Sequence, residues 1–326
     1  MGTRRSASTL SPTEIDRFVT AIDSLKQPDG TGVSPYDRFV ALHGAVMEVR
    51  VTFTGGNFQR TNMAHWNIGF CPWHRQYLLD FEQALQSVDP DVDLPYWDWD
   101  DHPQVLSQLF AAGFAGSLGD PVGPADVVDG RFANFPIAQP LEEDWGSLLE
   151  RGGGPPTGWP PSTGALAWLE DLRFSSNGRH PLWIFWRLLE AGWPGLLTST
   201  HNAAHNHVGG HMAGAFSPND PVFWMHHANV DRIWANWQRR FLDAEAAGHP
   251  GDWPAPTETS PLDGRPAPYG HRIGDLMWPW VGRFAGAFES MSVSPAAAAL
   301  LPDPATLPEV RVTDVLDIAQ LGYDYA

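Results

Sequence analysis

Apolar residues recur at helical spacing along much of the chain. Ile15, Phe18, Val19, Ile22 and Leu25 form one stripe. Ser11 or Thr13 can cap it and QPDGTG ends it, so the pattern predicts an amphipathic helix over 11–26. Ser34-Pro35 opens a second helix, serine as cap and proline in first position. Tyr36, Phe39, Val40, His43, Val46 and Met47 follow at i, i+3, i+4 spacing. After the loop TFTGGNFQRTNM, Pro72 marks a third start, which places His74 in the first turn and Leu78, Phe81 and Leu85 along the stripe. PLWIFWRLLEAG reads as a short apolar helix. Two further helices flank SPNDP. One begins at His201. The other begins at Pro221 and keeps Val222, Phe223, His226, His227, Val230, Ile233, Trp234 and Trp237 in helical register.

Elsewhere the pattern lapses. Residues 103–180 are rich in glycine and proline and predict a loop-rich excursion, ordered but irregular, rather than a second domain. Residues 250–326 return to loops and read as a C-terminal wrapping segment whose last stretch, PEVRVTDVLDIAQLGYDYA, has strand character. The predicted fold is mainly α with long irregular loops and little strand, one domain over 1–326.

Composition adds exclusions. Acidic residues outnumber basic ones, 38 to 20, for a net charge of -18, which argues against nucleic acid and anionic membranes as partners. The 16 Trp and 17 Phe supply large apolar surfaces for a core. The single cysteine, Cys71, excludes an intramolecular disulfide. MGTRRSASTLSPTEIDRF has a twin arginine with no apolar run behind it, so no signal peptide is expected. No apolar stretch reaches membrane-spanning length.

The candidate chemistry lies in the histidines. His201 and His205 stand four apart, on one face of a helix, and can meet one metal ion. His227 points toward them from the next helix. Asp231, one turn past His227, is placed to take the second imidazole proton of a ligating histidine. His43 lies in a buried stripe and needs a partner, whether a hydrogen bond or a metal. His65 and His74 follow, nine residues apart. His102 and His180 have no paired spacing. Asp98, Asp100 and Asp101 read as caps and hydrogen-bonding groups around a site. Two sets of three result: His43, His65, His74 and His201, His205, His227. Three histidines with no thiolate or carboxylate suit copper or zinc. A di-iron site would need glutamates in Glu-x-x-His pairs, and none accompany these histidines. Neutral all-imidazole ligation favours copper, and a four-helix bundle can hold two such sites at its centre.

At this point the chain resembles the tyrosinase family of type-3 copper proteins. The matching words are YDRFVALH, HWNIGFCPWHRQYLLDFE, LPYWDWD, HNAAHNHVGGHM and SPNDPVFWMHHANVDRIWANWQ. The resemblance implies a central four-helix bundle holding two copper ions. His43, His65 and His74 would bind copper A, and His201, His205 and His227 copper B. Within the doublet His226-His227 the second is the ligand, and His207 and His211 are extra histidines. It implies dioxygen as co-substrate and oxidation of small phenolic rings to o-quinones. The substrate would lie near His205 or His227, with Phe223 and Met212 to Phe216 shaping the entrance. The closing Tyr323 and Tyr325 would pack on Arg4 or Arg5.

Three departures stand out. Met63 occupies a position where many eukaryotic members have a cysteine cross-linked to a ligand. Cys71 stands where a leucine is usual and reads as a packing residue. Family members that hydroxylate monophenols pair an asparagine, here Asn202, with a glutamate about eight residues before the first copper-B histidine. That position is Trp193, and the nearest acid, Glu190, could serve only if WPGLL folds back. The expected activity is therefore oxidation of o-diphenols or o-aminophenols, faster than that of monophenols. The alternative is a hemocyanin-like reversible dioxygen carrier. It is disfavoured because the chain ends soon after its helical domain and carries no signal peptide. A zinc hydrolase would need a glutamate where Asn202 stands. The resemblance also implies a small copper-loading partner protein, and a chain that is cytoplasmic or exported with that partner.

Overall fold

The computed structural model of the protein describes residues 2–48, 50–52, 58–60, 63–99, 108–119, 123–138, 146–153, 163–170, 181–193, 197–198, 200–244, 273–283 and 295–326. Asp100, Asp101, His102 and His180 lie outside these residues.

Helix α1 (Pro12–Lys26) begins with a reciprocal cap. The Glu14 amide donates to Ser11 Oγ, and the Ser11 amide donates to the Glu14 carboxylate. Helix α2 (Pro35–Glu48) starts from Ser34, whose Oγ accepts from the Asp37 amide at 3.0 Å. Helix α3 (Phe70–Val88) begins two residues before Pro72, because Asn67 organises the preceding turn. Asn67 Oδ1 accepts from the Gly69 amide at 2.7 Å, and the Asn67 carbonyl accepts from that of Phe70 at 3.1 Å. His74 therefore stands a full turn inside the helix rather than in its first turn.

Helices α4 (Thr163–Glu170) and α5 (Pro181–Ala191) follow, then α6 (His201–Val208) and α7 (Val222–Ala244). Asp220 caps α7 by accepting from the Val222 amide at 2.9 Å, and Arg151 grips the same buried carboxylate at 2.6 Å and 2.8 Å. Short helices α8 (Pro295–Leu300) and α9 (Ile318–Leu321) come later in the chain. Helices α2, α3, α6 and α7 form the central bundle: α3 and α6 pack on α7, and Tyr77 of α3 donates to the Phe39 carbonyl of α2.

The described strands form only two-stranded ladders. β1 (Gly2–Arg4) pairs in parallel with β10 (Tyr323–Tyr325), tying together segments from the two ends of the chain. The antiparallel pairs are β2 (Arg50–Thr52) with β3 (Phe58–Arg60), β4 (Ala125–Asp126) with β5 (Glu150–Arg151), β6 (Gly192–Trp193) with β7 (Leu197–Thr198), and β8 (Leu276–Val281) with β9 (Glu309–Arg311).

Tryptophan fills the core. Trp73, Trp97, Trp99, Trp224, Trp234 and Trp237 are fully buried, and Trp224 stacks on Phe81 with ring centres 3.5 Å apart. Burying one such ring contributes roughly 4–6 kcal/mol before conformational entropy is charged against it.

Asp231 departs from its expected role. Its carboxylate accepts from Arg75 at 2.6 Å, Arg4 at 3.3 Å, and the hydroxyls of Tyr323 at 2.6 Å and Tyr325 at 2.7 Å. His227 is not among these partners, because Asp231 points out of the bundle centre toward the β1–β10 ladder. Burial pushes its carboxyl up, but Arg75 and then Arg4 outweigh burial and hold it below the usual range. Arg4 also pairs with Glu82 at 2.7 Å. The expected tyrosine clasp is present, and Arg4 rather than Arg5 makes it.

Candidate metal centre

His201 and His205 lie one turn apart on α6, and His227 reaches them from α7. Their Nε2 atoms converge: 3.1 Å between His201 and His205, 3.3 Å between His201 and His227, and 3.4 Å between His205 and His227. The opposite faces of two rings are held by acceptors. His201 Nδ1 donates to Asn202 Oδ1 at 2.8 Å, and His205 Nδ1 to the Met212 carbonyl at 2.6 Å. That places each proton on Nδ1 and leaves the Nε2 lone pairs facing one another. Two bare lone pairs 3.1 Å apart repel unless a cation lies between them. At the ~2.0 Å metal–nitrogen distance usual for imidazole, three nitrogens around one ion stand roughly 3.3–3.5 Å apart. The triangle fits one metal ion.

The other set approaches from α2 and α3. His43 Nδ1 donates to the Ala215 carbonyl at 2.7 Å and His74 Nδ1 to the Phe70 carbonyl at 2.8 Å. Both Nε2 atoms are buried without a hydrogen-bond partner. His65, from the loop before α3, packs its ring 5.0 Å from that of His43 and 4.8 Å from that of His74. The nitrogens that converge within 4.8 Å are those of His43, His74 and His227, so His65 stands beside this group rather than in it. Loop placement, without a helix to aim the ring, accounts for the difference.

Burial keeps all six rings neutral. It pushes His43 down to about 3 and His205 to about 4, and holds His65, His74, His201 and His227 well below the ordinary range. Neutral imidazole is the form that binds metal.

The segment from Met212 to Phe216 supplies carbonyls that orient one histidine of each set. Two glycines aim it. Gly209 and Gly210 have φ of 64° and 54°, and an added Cβ would lie 2.4 Å from the Gly153 nitrogen and 2.1 Å from the Glu150 carbonyl oxygen. Phe223 is fully buried, its ring 4.2 Å from His227 and 4.9 Å from His43. It fills the space between the sets rather than an outer rim. His207 and His211 are buried outside both convergent groups, and Glu150 donates its amide to His211. Asp98 pairs with Arg232 at 3.0 Å. Cys71 is a buried free thiol pushed up by burial, in keeping with packing.

Spacing along the sequence sets Glu190 apart, yet the fold brings it beside the His65 segment. The β6–β7 hairpin turns the chain back on itself, and both Glu190 carboxylate oxygens accept from the Trp66 amide, at 2.8 Å and 3.0 Å. Trp66 directly follows His65. Burial raises the Glu190 carboxyl well above its usual range. Thr200, immediately before His201, donates to the Leu188 and Leu189 carbonyls. The end of α5 thus holds a histidine-bearing segment from each set.

Two adjoining groups of buried imidazoles at the centre of a helical bundle define a dinuclear, type-3 copper protein. Residues 33–240 match the common central domain of tyrosinase. The chain belongs to the tyrosinase family. It is 38% identical over 292 residues to a tyrosinase of Streptomyces glaucescens, covering 86% of this chain and 93% of that protein. Its fold is similar to that of a variant polyphenol oxidase from Thermothelomyces thermophila, with TM-score 0.61 and 21% identity over 100% of this chain and 89% of that one. A functional unit of octopus hemocyanin shares the fold at TM-score 0.57 and 19% identity, covering 100% of this chain and 68% of that one. The protein is a copper-dependent phenol oxidase, and two coppers with dioxygen are its cofactor and co-substrate. No helix among the described residues is long and apolar enough to cross a membrane.

Proposed function

We propose that this chain oxidises o-diphenols and o-aminophenols to o-quinones and quinone imines, faster than it hydroxylates monophenols. His43, His65 and His74 would hold one copper and His201, His205 and His227 the other. The observation that supports this best is the triangle of Nε2 atoms at 3.1 to 3.4 Å. The bound coppers supply activation of dioxygen and acceptance of electrons from the ring. The protein's own groups fix the ligands, exclude water and manage the phenol proton.

That proton separates the substrate classes. A catechol has two adjacent hydroxyls and needs little help in losing one. A monophenol, with a reference pKa of about 10, needs a base held near the metal. Asn202 Oδ1 already accepts from His201, so its NH2 group remains for a water. Glu190 is the nearest carboxylate along the chain, and its grip on the Trp66 amide limits what it can offer a water. Whatever monophenol activity exists would run through this pair. An oxygen-uptake assay of the copper-loaded protein on catechol, o-aminophenol and tyrosine, side by side, tests the reading. Tyrosine turning over as fast as catechol, without a lag, would overturn it.

The continuous core from Ala7 to Leu316 supports reading 1–326 as one tyrosinase-like unit. Because both imidazole groups are buried, we also propose that a small partner protein delivers the copper, in the cytoplasm or on export. Copper uptake from a free salt at the rate seen in cell extract would count against a partner.

A further inference from the structure

The bundle buries a seventh imidazole at this centre. His226 is fully buried, and neither ring nitrogen has a hydrogen-bond partner. Leaving a buried polar group unpaired is costly, so a residue that only packed here would be better as phenylalanine. Its ring lies 4.5 Å from that of His205, 4.9 Å from His227, and 5.1 Å from His201, on which it stacks. One of its nitrogens lies within 4.8 Å of a nitrogen of each of these three.

His227 is likewise shared. One of its nitrogens lies within 4.8 Å of nitrogens of His43 and His74, and its ring stacks on that of His74 at 4.3 Å and 8°. The imidazoles therefore run without a break from His226, through His201 and His205, across His227 to His74 and His43. Exposure gives the line a direction, since His205, its imidazole buried, is as a residue less buried than the other six, which lie at 5% or less.

We propose that this line is the copper-loading route: His205 admits the ion, His201, His205 and His226 hold it in transit, and His227 passes it to His43 and His74. The second set thus loads the first. Each transfer is a ligand exchange in which one copper–nitrogen bond forms as another breaks. No electron moves, and no proton need move between neutral rings. The inference rests on the copper reading above.

The test uses copper-free full-length protein and cuprous ions, supplied anaerobically from a weak coloured chelator. Loss of chelator colour gives the loading rate, and elemental analysis gives copper per chain. Wild type should take two coppers; copper taken up only when the chain is refolded with cuprous ions would overturn the route, and none taken up either way would sink the copper reading itself. His226→Ser should load about tenfold more slowly, and His226→Cys, nearly the same size but with a soft copper donor, should recover the rate. Equal rates for Ser and Cys would overturn the proposal, because packing alone cannot tell them apart. A second arm needs no substitution at His226. His43→Ala should keep one copper. His227→Ala should keep less than one, although His43, His65 and His74 are intact. One full copper in His227→Ala would show that the first set loads independently.

Discussion

The Arg4 guanidinium lies 3.7 Å from the centre of the Tyr323 ring. It also donates to the Tyr325 hydroxyl at 2.9 Å, while both tyrosines donate to Asp231. Removing residues 321–326 would strip two donors from a buried carboxylate and a cation–π partner from Arg4. Hydrogen bonds to charged groups contribute about 1.5–3 kcal/mol each. The truncated protein should melt several degrees lower, at about 2 °C or more per kcal/mol. An unchanged melting temperature would mean the clasp does not contribute.

Asp231→Ala is the harsher form of the same test. It leaves Arg4 and Arg75 buried without their shared carboxylate and should cost about 3–5 kcal/mol in urea unfolding. A loss below about 1 kcal/mol would indicate that water reaches the cavity and replaces the carboxylate.

Gly44 sits on α2 beside His43, and a Cβ added there would lie 1.9 Å from Phe216 Cε1. Gly44→Ala should displace Phe216 and with it the Ala215 carbonyl that fixes His43. Overpacking of this kind typically costs about 1–3 kcal/mol. Copper content should fall below two per chain while the fold persists by circular dichroism. Full copper and unchanged stability would mean the 212–216 segment moves freely.

Glu190→Gln should separate two activities. The amide oxygen can still accept from Trp66, but the basic carboxylate is gone. Tyrosine hydroxylation should fall about tenfold or more, and catechol oxidation by less than about threefold. Equal losses on both substrates would assign Glu190 a purely architectural role.

Asp80 gives a pH dependence outside the metal centre. Burial pushes its carboxyl up to about 6, against hydrogen bonds from Trp280 and Gln76. Between the ordinary value of 3.8 and about 6, the native state keeps a proton that the unfolded chain has lost. This group's contribution is therefore complete below that window, declines through it, and is gone above it. Asp80→Asn should flatten the decline, on the order of 1 kcal/mol between about pH 4 and pH 7. Urea midpoints at both pH values check it, and an unchanged slope in the variant would remove Asp80 from the account.

The helices are legible in the sequence because their apolar stripes and caps are local signals. His43, His74, His201, His205 and His227 are legible because helical spacing aims them. His65 is harder to place, since its loop gives no periodicity. The acceptors that orient the histidines, the carbonyls of Phe70, Met212 and Ala215, have no sequence signature, because every residue carries a carbonyl. Asp231 escapes the local pattern for a related reason. Helical spacing puts it beside His227, but its partners come from both ends of the chain, and no local pattern reports a meeting of distant segments.

The hairpin between Glu190 and Thr200 bears on comparisons between chains of different length. Leu188, Leu189 and Glu190 hold Thr200 and Trp66 directly, so the seven residues from Gly192 to Thr198 bridge two points that other bonds already fix. Such a bridge can lengthen or shorten without moving either end. Counting back from His201 therefore measures the size of an interchangeable spacer. It does not identify which acid the fold brings beside the His65 segment, and a search by fixed offset will pass over Glu190.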